Sequence, residues 1–128
     1  MDLCGLQPMN SRAEALKART KKFALDVLAF VDTWVDSGKP GDRRIIGQLC
    51  DAATSVAANY RAACRGRSKR EFAAKIGLVL EESDETMFWL ECCQARNLGR
   101  DGLREGLLRE ANELTAIFAA SCITVRAS

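Results

Sequence analysis

Fourteen residues near the middle of the chain, NYRAACRGRSKREF from Asn59 to Phe72, decide how the sequence is interpreted. They have the pattern of one helix ending, a tight turn at Arg65-Gly66-Arg67, and a second helix beginning. From Arg61 to Lys75 the chain carries six basic residues and one acidic residue, a net charge of +5, whereas the whole chain carries only +2. The stretch therefore predicts a helical hairpin whose turn concentrates positive charge.

The helices on either side of this turn are indicated by apolar spacing. Ser68 followed by Glu71 is a capping-box pattern, which marks a helix start. Beyond it, apolar residues recur every three or four positions, as on one face of a helix; they include Phe72, Ile76, Val79, Met87 and Leu90. Before the turn, a similar stripe from Ile45 to Ala63 predicts another helix, with Asp42 as its N-cap.

Two outer helices complete the pattern. Ser11 and Glu14 form a second capping box, and the helix that they begin should end near Ser37, because glycine and proline follow. Asn97, Gly99 and Gly102 mark the turn before a last helix. Four long amphipathic helices joined by short turns predict an all-α, up-down-up-down antiparallel four-helix bundle. Residues 11–128 should form this single domain, preceded by a loose leader at residues 1–10.

Composition limits the class of protein. The chain has 128 residues, of which 48% are hydrophobic and 28% charged, as expected for one globular domain. Its N-terminus lacks the basic and apolar regions of a signal peptide. Its longest uncharged apolar stretch, residues 114–125, is shorter than the roughly 20 residues needed to cross a bilayer. We expect a soluble, cytoplasmic protein with no membrane partner.

Catalytic and metal sites are not indicated. Six cysteines occur without a C-x-x-C pair and the chain has no histidine, so a zinc site is not expected. A di-iron site in a helical bundle requires Glu-x-x-His, and a serine or cysteine nucleophile lacks its usual base. The sequence predicts no enzyme activity, no catalytic residue, no metal and no cofactor, with the cysteines reduced and buried.

The third helix combines acidic and apolar features. It carries five acidic residues and no basic residue between Ile76 and Ala95. We expect Asn59 to be half-buried and hydrogen-bonded across helices, and Asp84 or Glu85 to join it or an arginine in a polar network that fixes the bundle register. The alternative is an acidic face that is solvated or pairs with basic residues nearby.

A second apolar set, Leu78 and Trp89, lies almost opposite the main stripe of this helix, 11 residues apart. A helix that is apolar on two sides is buried twice, once in its own core and once against another surface. This pair therefore predicts a homo-oligomer interface. The alternative is a tryptophan that lies under long side chains of its own subunit.

The basic turn, defined as Arg61, Arg65, Arg67, Lys69 and Arg70, is the candidate contact site. Arg61 and Arg65 suit the negative end of a helix dipole, but Lys69 and Arg70 lie in a first helical turn, where positive charge is mildly unfavourable. Clustered cations and free amides there could bind phosphate or carboxylate. Three interpretations remain open: contact with nucleic acid, docking to an acidic protein surface, or plain solvation or pairing with the acidic helix of a neighbouring subunit.

The stretch from Gln48 to Glu85 also resembles a known family, the small four-helix bundle proteins encoded in intervening sequences of 23S ribosomal RNA genes. Their pattern, roughly Q-L-x-R-A-A-x-S-I-x-x-N-I-A-E-G, a basic turn and R-S-x-x-E-F, is matched here at eleven positions: Gln48, Leu49, Ala52, Ala53, Ser55, Val56, Asn59, Arg67, Ser68, Glu71 and Phe72. Residues 60–63, YRAA, depart from the usual I-A-E-G by losing the acidic residue and adding Arg61.

The resemblance implies a bundle that assembles into rings, typically pentamers, without established enzymatic activity. A related branch accompanies the reverse transcriptases of diversity-generating retroelements and binds the enzyme and nucleic acid through a basic surface. For this chain, the resemblance implies self-association and a partner that is RNA, DNA, a ribonucleoprotein or a reverse transcriptase.

Overall fold

Four α-helices form the protein in a computed structural model, which describes residues 10–34 and 36–127. They are α1 (Asn10–Asp32), α2 (Pro40–Cys64), α3 (Lys69–Ala95) and α4 (Asp101–Ala127). Neighbours along the chain pack against each other, and α1 and α4 pack least closely. The predicted all-α four-helix architecture is confirmed. The predicted leader lies outside the described residues except for Asn10, which begins α1.

Contacts between helices define their directions. Asp42 in the first turn of α2 binds Arg96, which caps the end of α3. Halfway along α3 and α4, the Ser83 and Thr115 hydroxyls are 2.8 Å apart. The turn after α3 meets the end of α1, because Gly99 lies beside the Phe30 ring. Each helix thus runs opposite to the next, as in an up-down-up-down bundle.

The core consists of the apolar stripes that the sequence shows. Val27, Leu49, Val79 and Leu114 have no solvent-exposed surface, and each comes from a different helix. The Tyr60 ring, buried in α2, lies 5.5 Å from the Phe118 ring of α4. Burying such side chains stabilises a domain by roughly 1.5–3 kcal/mol for each large one.

Three predicted helix boundaries are wrong. The α1 helix ends at Asp32 and not near Ser37, and it begins at Asn10, so Ser11 lies within the helix. Glu14 therefore pairs with Lys17 at 2.6 Å. The N-cap of α2 is Lys39 and not Asp42, because Pro40 already occupies the first helical turn. Among the described residues, no helix is long and apolar enough to cross a membrane.

Candidate functional site

The turn between α2 and α3 is tight and capped. A β-carbon added at Gly66 would lie 3.1 Å from the Ala63 carbonyl oxygen, so a larger residue there would have to displace the backbone by a few tenths of an ångström. The Ser68 hydroxyl accepts a hydrogen bond from the Glu71 amide at 3.1 Å. The Glu71 carboxylate accepts one from the Arg67 amide at 2.6 Å. The predicted capping box is confirmed, with its return bond one residue earlier than in the standard motif.

The five residues of the basic turn are all exposed. Every ion pair within residues 10–34 and 36–127 lies elsewhere, so none of these five cations is neutralised by a carboxylate there. The structure divides them into two groups. Arg67, Lys69 and Arg70, hereafter the turn cations, stand at the end of the hairpin. Arg61 and Arg65 instead line a groove between α1 and α2.

This groove, hereafter the alanine groove, has a volume of about 650 Å³. Small side chains of both helices line it, namely Ala18, Ala57 and Ala58, together with Thr54 of α2. Lys17 and Lys21 of α1 line it together with Arg61 and Arg65 of α2, and Glu14 is its acidic member. Since Glu14 is bound to Lys17, the groove keeps a net positive charge.

Negative charge is concentrated on α3. Within the described part of the chain, none of its five central acidic residues takes part in an ion pair; they are Glu81, Glu82, Asp84, Glu85 and Glu91. Partial burial, together with the charges of Glu85, Glu81 and Asp51, raises the pKa of Glu82 above its usual value. The molecule therefore carries separate surfaces of uncompensated positive and negative charge.

The predicted polar network does not form between Asn59, Asp84 and Glu85. Asn59 is half-buried, as predicted, but its side chain makes no hydrogen bond to any described residue. Asp84 and Glu85 are both exposed on α3. Glu85 accepts a hydrogen bond of 3.3 Å from the indole of Trp89, one turn along the same helix. The structure thus places a local contact where the sequence suggested a link across helices.

The second apolar set of α3, Leu78 and Trp89, is only partly exposed. Leu78 is 42% exposed, whereas Trp89 is partly buried against the core of its own chain. The residue before Trp89, Phe88, is 55% exposed, and its ring lies 4.9 Å from the indole. The exposed apolar surface on α3 is therefore formed by Leu78 and Phe88, with Trp89 at its edge.

The buried polar groups hold the bundle together. Asp42 accepts hydrogen bonds from the Ser37 hydroxyl at 2.7 Å and from Arg96 Nε at 2.6 Å, and these donors lower its pKa.

Burial raises the pKa of the Cys93 thiol to about 12, so it stays protonated and unreactive near neutral pH. Among the described residues, no group of potential ligands could hold a metal ion.

Sequence reasoning missed Lys17, Lys21 and Phe88. The lysines come from α1, about 40 residues before the turn, and only the packing of α1 on α2 brings them to the groove. No local pattern reveals that. Phe88 could have been found, since Leu78, Glu81, Glu85 and Phe88 follow the i, i+3, i+7, i+10 spacing of one helix face.

Comparison with solved structures gives a similar fold. The chain is similar to a protein of unknown function from the S23 ribosomal protein family of Bacteroides thetaiotaomicron, with a TM-score of 0.74 and 20% sequence identity. The similarity covers 86% of this chain and 96% of the other. No protein-family model matches the sequence, and no curated protein matches it. At this level of identity, the similarity shows the shared fold alone.

Proposed function

We propose that this protein is a non-enzymatic module that binds the phosphate backbone of nucleic acid through the turn cations. The observation that carries the proposal is the grouping of Arg67, Lys69 and Arg70 at one exposed turn, without an ion pair to any described carboxylate. Lys69 and Arg70 lie in the first turn of α3, where the helix dipole disfavours cations. A phosphate group there would meet positive charge and the positive end of the helix.

The surroundings of the turn favour contact with the phosphate backbone of a nucleic acid over contact with its bases. The aromatic residues nearest in sequence, Tyr60 and Phe72, pack in or against the core. Proteins that bind single strands without sequence preference stack the bases on exposed aromatic rings. A turn with cations and no exposed ring suits phosphates, so we expect binding that depends on salt and hardly on sequence.

The finer family assignment is part of the same proposal. We propose that the chain is related to the bundle proteins encoded in 23S ribosomal RNA intervening sequences. The motif between Gln48 and Glu85 supports this, and so does the fold similarity to a protein of the S23 ribosomal protein family. With this relationship come a ring-shaped homo-oligomer, a cytoplasmic location and a ribonucleoprotein or reverse transcriptase as the partner that presents the nucleic acid.

Fluorescence anisotropy with labelled duplex RNA, duplex DNA and the matching single strands tests the binding. Replacing Arg67, Lys69 and Arg70 together with alanine should weaken binding at least tenfold at low salt. It should also make the plot of log K against log salt less steep, by about 0.9 for each phosphate that the protein no longer neutralises. The matched control removes three exposed arginines toward the other end of the bundle: Arg44, Arg100 and Arg109.

Equal weakening in the two triple variants would show that only total charge matters and would contradict the assignment to the turn. Absence of salt-dependent binding of the wild-type protein to all four probes would reject the proposed function itself.

A further inference from the structure

Ser68 lies among the turn cations, between Arg67 and Lys69. Its side chain is exposed, and its backbone is extended, with φ of −151° and ψ of 163°. The hydroxyl oxygen accepts a hydrogen bond from the Glu71 amide, but no described residue accepts one from its O–H group. An enzyme can therefore reach this hydroxyl, and no bond within the described chain holds its proton.

The residues before Ser68 form a charge pattern that a protein kinase can recognise. Arg65 and Arg67 precede it by three and one positions, and no other serine of the chain has two arginines among the three residues before it. Residues 65–68 lie between α2 and α3 and belong to neither helix. Thr20 follows two basic residues at the same spacing but is fully buried. Exposure and flanking charge together distinguish Ser68, because a kinase with an acidic substrate cleft selects its substrates by such charges.

We propose that Ser68 is a phosphorylation site and that its modification stops nucleic-acid binding at the turn cations. The donor is a nucleoside triphosphate bound to a serine kinase with an acidic substrate cleft. The Ser68 oxygen forms a bond to the γ-phosphorus, the bond between that phosphorus and the nucleoside diphosphate breaks, and a base of the kinase takes the hydroxyl proton. The site itself stands on the exposure and the charges around Ser68, whereas the effect on binding rests on the proposed function.

The charge of the turn gives the physical reason for this effect. From Arg67 to Glu71 the net charge is +2, and a phosphoserine carries about −1.5 to −2 near neutral pH. The modified turn is therefore close to neutral. The phosphate also lies at the beginning of α3, where negative charge suits the helix dipole and a phosphate oxygen can accept from the Glu71 amide. Modification thus keeps α3 capped while it neutralises the cations that would bind nucleic acid.

Two substitutions separate the effect of charge from the effect of capping. Aspartate and asparagine cap helices about as well as serine does, so Ser68→Asp and Ser68→Asn both keep the cap, but only the first adds a negative charge. Ser68→Asp should bind duplex RNA at least about threefold more weakly than Ser68→Asn at low salt, because it opposes the phosphates. It should unfold at no lower urea concentration. Fluorescence anisotropy measures the binding, and equal affinities of the two variants would overturn the effect of charge at Ser68.

Phosphorylation of the full chain tests the site. A serine kinase that selects arginine three residues before its substrate serine, supplied with ATP and Mg²⁺, should add one phosphoryl group. Mass spectrometry of the digested protein should locate that group at Ser68. The Ser68→Ala variant should take up none, and Ser11→Ala, the matched control, should be modified as the wild type is. No incorporation into the wild type, or incorporation at other hydroxyls with Ser68 unmodified, would overturn the proposal.

Anisotropy on the phosphorylated protein then tests the effect on binding. Phosphorylation at Ser68 should weaken binding to duplex RNA at least tenfold at low salt, since the turn loses its net positive charge. Unchanged affinity would overturn the effect of the modification. A chain that is phosphorylated at Ser68 but binds no nucleic acid in either form would reject the proposed function and leave the modification site in place, so the two failures are distinguishable.

Discussion

Gly99, between α3 and α4, has the least room of the described glycines. Its φ of +75° lies in the left-handed region, and an added β-carbon would come within 2.4 Å of the Phe30 ring and 2.5 Å of Trp34 Nε1. Both the backbone angle and the contact with the end of α1 therefore require glycine at this position. The nearby Arg104 guanidinium fixes the same turn by donating to the Leu98 carbonyl at 2.9 Å.

We predict that Gly99→Ala destabilises the protein by about 3 kcal/mol, which combines left-handed strain with overpacking against Phe30 and Trp34. The matched control is Gly47→Ala in α2, where nothing lies within 4 Å of the added β-carbon. Alanine there should stabilise the helix by about 0.5–1 kcal/mol. Urea unfolding followed by circular dichroism measures both. If both variants unfold at the same urea concentration, the close packing around Gly99 is not present in solution.

At the residue scale, the sequence indicates some positions but not their contacts. Asn97 and Gly99 are recognisable as turn residues in the sequence, because asparagine and glycine tolerate the positive φ that both have in the structure. The role of Gly99 in holding the end of α1 is invisible in the sequence, since Trp34 is 65 residues away. Asn59 illustrates the reverse case. It is half-buried beside an apolar stripe, as predicted, but it forms no hydrogen bond across helices with a described residue.

At the scale of elements, apolar spacing predicted the four helices, and local capping patterns were less reliable. Ser68 and Glu71 work as a cap because nothing else competes for them. Asp42 is also a residue type that caps helices, yet Pro40 starts α2 before it, and its carboxylate accepts a hydrogen bond from Arg96, 54 residues away. A capping pattern describes only local hydrogen bonds, so a distant charged partner changes the outcome.

The cap of α3 also positions the turn cations, which gives a prediction for this element. Ser68→Ala removes the acceptor for the Glu71 amide and should destabilise the protein by about 1 kcal/mol. The loosened turn should also hold Arg67 and Lys69 less firmly and weaken binding to duplex RNA a few-fold. Chemical unfolding and anisotropy on the same sample measure the two effects.

The matched control is Ser11→Ala, which lies within the exposed first turns of α1. Alanine is the better helix former, so stability should stay the same or rise slightly, and binding should not change. Equal destabilisation by both substitutions would mean that the Ser68 hydroxyl does not cap α3.

At the scale of the whole molecule, the ion pairs and the unpaired charges have different places. The long-range ion pairs, Arg19 with Glu110 and Glu113 and Arg96 with Asp42, join helices within the bundle. The alanine groove and the basic turn lie on α1, α2 and the start of α3, while the unpaired acidic residues lie along the middle of α3. The sequence revealed the net charge of each stretch. It could not show which charges the fold neutralises, because that depends on packing between helices.

Packing between helices also changes the apolar surface of α3 on which the sequence prediction of self-association rests. Leu78 and Trp89 share a helix direction, which was visible as an 11-residue interval. The bundle nevertheless covers much of Trp89 and leaves Phe88 exposed, because the core packs against one edge of that stripe. A helical projection gives only the angular position of each residue around α3. The packing of α3 against α2 and α4 determines which of these residues are exposed.

Phe88 therefore gives a prediction about the self-association of the whole molecule. Phe88→Ser should weaken self-association tenfold or more, because aromatic side chains at the centre of an interface carry much of its binding energy. The matched control is Ile123→Ser in α4, a residue that is even more exposed, at 69%, and lies outside the exposed apolar surface of α3 and the alanine groove. Both substitutions should change the stability of the single chain by less than about 0.5 kcal/mol, since each side chain is largely solvated. Sedimentation equilibrium over a range of protein concentrations measures the association. Equal weakening by both variants would indicate general hydrophobic adhesion, and weakening by Ile123→Ser alone would move the contact from α3 to the end of α4.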